Sequence, residues 1–374
     1  MEKRVFLAGC KDYEQKKVDN AIHASLEAFG GAKALAGGKR VLIKANLLMS
    51  EIPSKAVTTH PAVVSALARE FMSAGCTVEI ADSCGGLYNE GVLRKLYSTS
   101  GMKRVSEETG AELNFDTSSF EREIPNGVKI KKTQMITPIE RAEFIISAAK
   151  LKTHGFTYYT GAAKNIFGVI PGLSKAAMHS KFPDKTDFCE MLVDLCESVK
   201  PDLSIIDGVV GMEGAGPSGG TPKEAGVIIT SKSPYAADLA AMDIMGLDAE
   251  KSPLHMAAKG RGLIDDIELF GDNIENFRTS FTPAYTKDSK SVLSILPGAL
   301  KRYVEKFFAR YPYIRKEKCI GCGECVRSCP EHTIKLREKK AVIDYKNCIR
   351  CYCCQEMCPA RAIDIVKFAK HRKK

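Results

Sequence analysis

The sequence predicts an α/β domain with a largely parallel sheet, followed by a small α+β domain at the C-terminus. Three observations carry this. Over residues 1–285, short apolar runs alternate with segments of helical period, the order that a parallel sheet with crossover helices requires. Nine of the 14 cysteines fall between Cys319 and Cys358. The chain has 374 residues, 44% hydrophobic and 27% charged, which suits one large core plus a module.

The elements follow in order. Val5-Phe6-Leu7-Ala8 reads as a first strand rather than a signal peptide, so the expected location is the cytoplasm. Val41-Leu42-Ile43 is a short buried strand. A helix starts at Pro61, where a missing N–H costs nothing, and ends at Gly75. Thr77–Ala81 is the next strand, closed by Gly85-Gly86. Phe144–Ser147 and Leu203–Ile206 read as central strands, with an amphipathic helix from Asp187 to Val199 between them and Pro201 stopping it. Val227–Thr230 precedes a helix from Pro234 to about Met245. Residues 286–312 form a connector in which Leu300, Tyr303, Val304, Phe307 and Phe308 share one helical face, so a docking helix is expected. Residues 313–374 form the small domain.

Composition narrows the function. No apolar run reaches the length of a membrane span. Fourteen cysteines without a secretion signal argue against a disulfide framework. The net charge of +10 is concentrated: from Tyr313 onward there are 16 Lys and Arg against 7 Asp and Glu, and the rest has 39 against 38. Since that basic stretch also holds the thiolates, it is read as steering an acidic redox partner, not as a nucleic-acid surface.

The tail contains an internal repeat. Cys319, Cys322, Cys325, Cys329 and Pro330 recur 29 residues later as Cys348, Cys351, Cys354, Cys358 and Pro359. Each copy reads C-x2-C-x2-C-x3-C-P. The first three thiolates curl around three irons of a cube, and the fourth turns away to ligate the other cube. One cluster is then expected on Cys319, Cys322, Cys325 and Cys358, the second on Cys348, Cys351, Cys354 and Cys329. Cys353 is a spare thiol. Zinc is the alternative, but zinc sites pair two CxxC units across a longer gap. Thr333–Leu336 and Ala341–Tyr345 read as a hairpin. The tail resembles the two-cluster bacterial ferredoxins, from which it departs in its basic charge.

In the large domain, polar clusters sit at the ends of the expected strands, where open α/β sheets place their sites. They are Lys44-Ala45-Asn46; Thr58-Thr59-His60-Pro61, where a helix N-terminus is placed to hold an anion; Asp82-Ser83-Cys84; Lys150-Leu151-Lys152-Thr153-His154, continuing to Lys164-Asn165, Lys175 and His179; and Asp207-Gly208, running into Gly211–Gly220. The glycine order is not that of a dinucleotide site, and this stretch is expected to form a flexible wall over a pocket. Cys84, Cys189 and Cys196 are expected in the core. At these residues, from Lys44 to about Asp248, the chain resembles the domain of unknown function 362 family, many members of which carry a similar ferredoxin tail. His154, Lys164 and His179, with Gly161 and Pro171-Gly172 between them, are also faintly similar to lactate racemase. That similarity implies a shared fold and site position, and a pincer cofactor is not expected.

The expected function is that of an iron–sulfur oxidoreductase with two 4Fe–4S clusters and a further unidentified cofactor or small anionic substrate in the large domain. His154, Lys164, His179 and His60 are the candidate catalytic residues, and Lys44, Asp82, Lys152, Asn165 and Asp207 the candidate binding residues. Proton movement by the histidines and anion binding by the lysines is the expected division. The competing readings are a carrier or docking protein with no chemistry of its own, and clusters that are structural or sensory.

Overall fold

The computed structural model describes residues 3–284 and 309–367. Two units separate: one built from residues up to Lys175 and from Asp184 to Ala284, the other from the segment 176–183 and the C-terminal part. The expected connector over 286–312 lies largely outside the described residues. Its last part is a strand, beginning at Arg310.

Among the described residues the large unit has eleven strands. They are β1 (Arg4–Gly9), β2 (Arg40–Ala45), β3 (Thr77–Ala81), β4 (Glu112–Leu113), β5 (Ser119–Glu123), β6 (Lys132–Ile136), β7 (Phe144–His154), β8 (Tyr158–Thr160), β9 (Leu203–Glu213), β10 (Thr221–Ser231) and β11 (Glu268–Gly271). Nine form one sheet in the order β11-β1-β10-β9-β7-β2-β3-β4, with β8 paired to β7; β5 and β6 form a separate hairpin. The run β9-β7-β2-β3-β4 is parallel throughout. β10 lies antiparallel to β9 and to β1. This is the α/β class expected from sequence. After β2 the chain winds outward through β3 and β4, then returns to β7 and winds the other way to β9. The switch therefore falls between β2 and β7, and the carboxyl ends of those strands flank it.

The helix Pro61–Ser73 joins β2 to β3 and buries Val63, Val64, Leu67 and Phe71, a 3.6-period stripe. Burying each such side chain contributes about 1.5–3 kcal/mol. Two strands run further than their apolar residues suggested. β7 continues to His154, and all eleven of its residues are buried. β9 continues to Glu213, so Asp207-Gly208 lies within a strand, not at its end. The glycine-rich stretch is the turn between β9 and β10. It is fastened to the end of β7, because Thr153 Oγ1 donates to Gly214 O at 3.0 Å and Gly155 N donates to Gly216 O at 3.2 Å. The free wall expected from its glycines is thus a pinned turn.

The tail unit repeats itself in three dimensions. β12 (Arg310–Ile314) pairs antiparallel with β15 (Ile363–Lys367), and β13 (Ile334–Arg337) with β14 (Lys340–Ile343). The last pair is the hairpin expected from sequence. Short helices at Glu324–Arg327 and Cys353–Glu356 occupy equivalent places in the two copies. Left-handed backbone recurs at the same interval, at Gly321 and Arg350, at Gly323 and Tyr352, and at His332 and Arg361. Each strand pair joins the leading strand of one copy to the trailing strand of the other, so the copies interlock.

Candidate functional site

The interlock brings the tail thiols together across the copies. Burial raises the Cys325 thiol to about 11, and the neighbours that raise it further are Cys358, Cys322 and Cys319. Burial pushes Cys354 well above the ordinary thiol value, with Cys351, Cys348, Cys325 and Cys329 adding to it. Each fourth cysteine therefore stands with the first three of the other copy. Cys329, Cys348, Cys351 and Cys354 line one cavity. Backbone N–H groups already point at sulfur in matching places: Thr333 N to Cys329 Sγ at 3.3 Å and Ala362 N to Cys358 Sγ at 3.2 Å. Such bonds favour the thiolate and tune a bound centre. Raised thiols have to lose protons when they take up metal. Among the described residues, no three His, Cys, Asp or Glu side chains converge as ligands of one ion would. The thiolates of an iron–sulfur cube do not converge on one point either, since each binds its own iron.

In the large unit, the polar residues at the carboxyl ends of β2, β3, β7 and β9 form one connected lattice. Lys44 is fully buried and sits 2.7 Å from Asp82 Oδ1. Its Nζ also donates to Ala45 O at 2.9 Å and Asn165 O at 3.0 Å. The other Asp82 oxygen accepts Leu47 N at 2.7 Å. Gly168 is packed so closely here that a Cβ would fall on Asp82 Oδ1 and Lys44 Nζ. Lys150, opposite Asp207 in the β7–β9 register, reaches its Oδ2 at 2.8 Å. Asp207 also accepts Tyr13 OH at 2.8 Å and His60 N at 2.9 Å. Burial lowers both lysines from their ordinary value, and the facing carboxylates oppose that shift.

Lys150, Lys152 and His154 alternate along β7, so the pleat sets them on one face. Lys152 Nζ donates to Asn46 Oδ1 and to Val57 O, both at 2.7 Å. Asn46 Nδ2 reaches Asn165 Oδ1 at 3.3 Å, which joins Lys152 to the Lys44–Asp82 pair, and Asn46 N donates to Thr59 Oγ1 at 3.0 Å, next to His60. His154 is buried, and its Nδ1 accepts Phe156 N at 3.0 Å and Thr157 N at 3.3 Å. That leaves the neutral ring's proton on Nε2. His60 caps the helix Pro61–Ser73 through Nδ1, which accepts Ala62 N at 3.2 Å, and stacks on Tyr13 with ring centroids 3.5 Å apart. Burial lowers it to about 4. The expected anion cradle at this helix start is therefore filled by the protein's own groups. Cys84, Cys189 and Cys196 are buried, as expected.

Lys175 is half-buried. Its Nζ is held by neutral oxygens, Ser83 O at 2.7 Å, Ser83 Oγ at 2.8 Å and Cys84 O at 3.2 Å, and burial lowers it to about 8. Lys44 and Lys164 are among the charges it feels. Lys164 is half-buried, its Nζ 5.8 Å from the centroid of the Phe167 ring. His179 lies four residues beyond Lys175 on the helix Ser174–Lys181, in the segment 176–183 that groups with the tail unit. Two contributors escaped sequence reading. Tyr13 left no local signal. Asp238 accepts Ala162 N at 2.6 Å and Ala163 N at 3.1 Å, fixing the turn that carries Lys164 and Asn165, and burial raises it to about 7. A carboxylate set among alanines in the apolar helix Pro234–Ile244 was its signal.

Residues 41–243 match the family described as domain of unknown function (DUF362), more than half of the chain. The chain belongs to that family. Residues 311–359 match a 4Fe–4S dicluster domain. A thylakoid-associated protein of Synechocystis sp. is 33% identical over 271 residues, 70% of this chain and 81% of its own length. Pyruvate synthase subunit PorD of Methanothermobacter marburgensis is 44% identical over 52 residues, 14% of this chain and 60% of its own. Lactate racemase apoprotein from Thermoanaerobacterium thermosaccharolyticum superposes with a TM-score of 0.39 at 13% identity, over 63% of this chain and 56% of that one. This member of the family therefore carries a 4Fe–4S ferredoxin-type domain, which supports an iron–sulfur electron-transfer role. Among the described residues, no helix is long and apolar enough to cross a membrane.

Proposed function

We propose that this chain is an iron–sulfur oxidoreductase. Two 4Fe–4S clusters would be held on Cys319, Cys322, Cys325 and Cys358 and on Cys329, Cys348, Cys351 and Cys354, and a substrate or further cofactor at the switch between β2 and β7. The observation that carries this is the crossed grouping of the eight thiols, with the fourth cysteine of each copy among the first three of the other. The clusters would supply one-electron transfer. The large unit supplies a scaffold and proton-handling groups. Lys44 and Lys150 belong to the scaffold, since Asp82 and Asp207 already neutralise them. Binding of a small anion falls instead to Lys175 and Lys164, at the half-buried rim of the lattice. The neutral His154 ring is the candidate proton carrier.

Protein made without oxygen tests this. It should contain about eight irons per chain, as two four-iron clusters require, and should release an organic or metal cofactor, if one is resident, on denaturation. His154→Ala and Lys164→Ala should abolish turnover at unchanged iron content. Zinc in place of iron would defeat the cluster assignment, and full turnover in both variants would remove the site. The internal pairing of Lys44 and Lys150 also suits a carrier that docks a partner without chemistry. Turnover lost in the two variants separates the enzyme from the carrier.

A further inference from the structure

The two copies of the tail repeat turn the same corners with different residues, and the difference uncovers one thiol set. In the second copy the left-handed corners are Arg350 and Tyr352. A non-glycine residue there costs about 1–2 kcal/mol, yet both side chains are put to use. With Ile349 they line the cavity of Cys329, Cys348, Cys351 and Cys354. In the first copy the matching corners are Gly321 and Gly323, which have nothing to place over Cys319, Cys322, Cys325 and Cys358. Cys322 is accordingly exposed, whereas its counterpart Cys351 is buried. Ile320, beside it, is 68% exposed.

The surroundings of this bare corner are basic. The hairpin β13–β14 is seated on it: Lys340 Nζ donates to Cys319 O at 2.6 Å, Ala341 N to Cys319 Sγ at 3.5 Å, and a Cβ on Gly321 would fall on Lys339 O. Strand alternation turns Lys335 and Arg337 outward, and Leu336 at its end is 45% exposed. Lys316, Lys318, Lys335, Arg337 and Lys339 are all exposed, and none forms an ion pair with a carboxylate among the described residues. Glu317 and Glu338 are the acidic residues interspersed in these stretches. An apolar centre with a basic rim beside an exposed ligand set suits brief contact with a negatively charged surface, because opposite charge speeds encounter without making the complex long-lived.

We propose that this face docks an acidic electron-transfer protein, and that electrons cross at the Cys319–Cys322–Cys325–Cys358 set, the second set being the internal one. This rests on the reading that the tail holds two clusters. One electron leaves the carrier, which is oxidised, and one arrives at the iron–sulfur centre, which is reduced; no atom is transferred.

The test uses the full chain, purified anaerobically with its iron, and an acidic flavodoxin as probe. Carbodiimide joining of the flavodoxin's carboxylates to lysines, mapped by mass spectrometry, should place the links at Lys318, Lys335 and Lys339. Lys335→Glu, Arg337→Glu and Lys339→Glu together should slow reduction by flavodoxin at least about tenfold at low salt, with the effect fading as salt rises. Reduction by methyl viologen in the same variant should be unimpaired, which also shows that the iron sites have assembled. Lys346→Glu, next to the second set, should leave the flavodoxin rate within about twofold, as an isolated charge off the docking face does. Links elsewhere, an equal loss in Lys346→Glu, or a salt-independent rate would overturn the docking face while the cluster reading stands. Failure of methyl viologen to reduce the wild-type protein would overturn both. A random oligonucleotide that blocks the cross-links would instead make this face a nucleic-acid surface.

Discussion

The two units handle buried charge in opposite ways. At the carboxyl ends of β2, β3, β7 and β9, Lys44 and Lys150 each have a carboxylate within 2.8 Å, and buried Lys152 is held by the oxygens of Asn46 and Val57. Charge there is neutralised inside the chain, at the cost of desolvating both partners. In the tail, eight thiols are gathered largely among other thiols, and burial raises several of them. Arg350 beside Cys348 counters that only in part. A polar interior complete in itself is scaffold, and one that brings like groups together is a ligand set. By that criterion the large unit's most conspicuous lysines are structural and the tail's cysteines are functional.

The sharpest way to break the contrast is to remove the iron. Apart from cysteine, the described part of the tail buries few apolar side chains: Tyr311, Ile314, Ile334, Ala341, Tyr352, Met357, Ala362 and Ile363. A domain of this size with so small a core does not hold together unaided. After chelation of the iron, limited proteolysis should cut within residues 309–367 while residues 3–284 stay protected. A tail that remains resistant without metal would show that its packing, not its ligands, holds it.

The large unit should respond to loss of one partner, not to loss of metal. Lys150→Met leaves Asp207 charged and buried, and should cost about 3–5 kcal/mol of stability, the usual effect of halving a buried pair. Adding Asp207→Asn removes that charge and keeps one of the two acceptor oxygens to which Tyr13 OH and His60 N separately donate in the wild type. The double variant should therefore recover about half of the loss or more. Urea unfolding of the holo chain measures both. Additive losses would mean that the pair is not coupled, and that the lattice lacks the self-sufficiency described above.

The tail was more legible in the sequence than the lattice, for a physical reason. Cluster ligands must come at fixed short spacings, so the repeat displayed them together with their crossed assignment. The lattice is assembled from residues far apart in the chain: Lys44 with Asp82, Lys150 with Asp207, Tyr13 with Asp207. Strand ends were misjudged for the same reason. Apolar runs stop at Ala149 and Ile206, but the strands continue through charged residues whose partners lie on neighbouring strands. Charge in a sequence looks like solvent exposure until its partner is known. That is why five lysines looked like an anion site, although Lys44, Lys150 and Lys152 are satisfied inside the chain.

His60 gives the finest measure of how closed the lattice is. Its ring is held neutral by burial, with Lys150 adding to that effect and Asp207 opposing it. Its Nδ1 cannot accept Ala62 N once protonated, so a proton there also removes the helix cap. The folded value of about 4 lies below the ordinary 6.5, so between these two pH values the unfolded chain binds more protons. Stability therefore falls as pH drops through that window and is unaffected above it. A shift of this size is worth up to about 3 kcal/mol at about 1.4 kcal/mol per unit, less whatever solvent reaches the partly exposed ring. His60→Asn keeps an acceptor for the cap but cannot titrate. Its stability should decline less than that of the wild type between pH 6.5 and 4. An NMR titration of the His60 ring carbons should show no protonation until the pH approaches 4. A midpoint near the ordinary histidine value would mean that water already reaches the ring, and that the lattice is open where the geometry closes it.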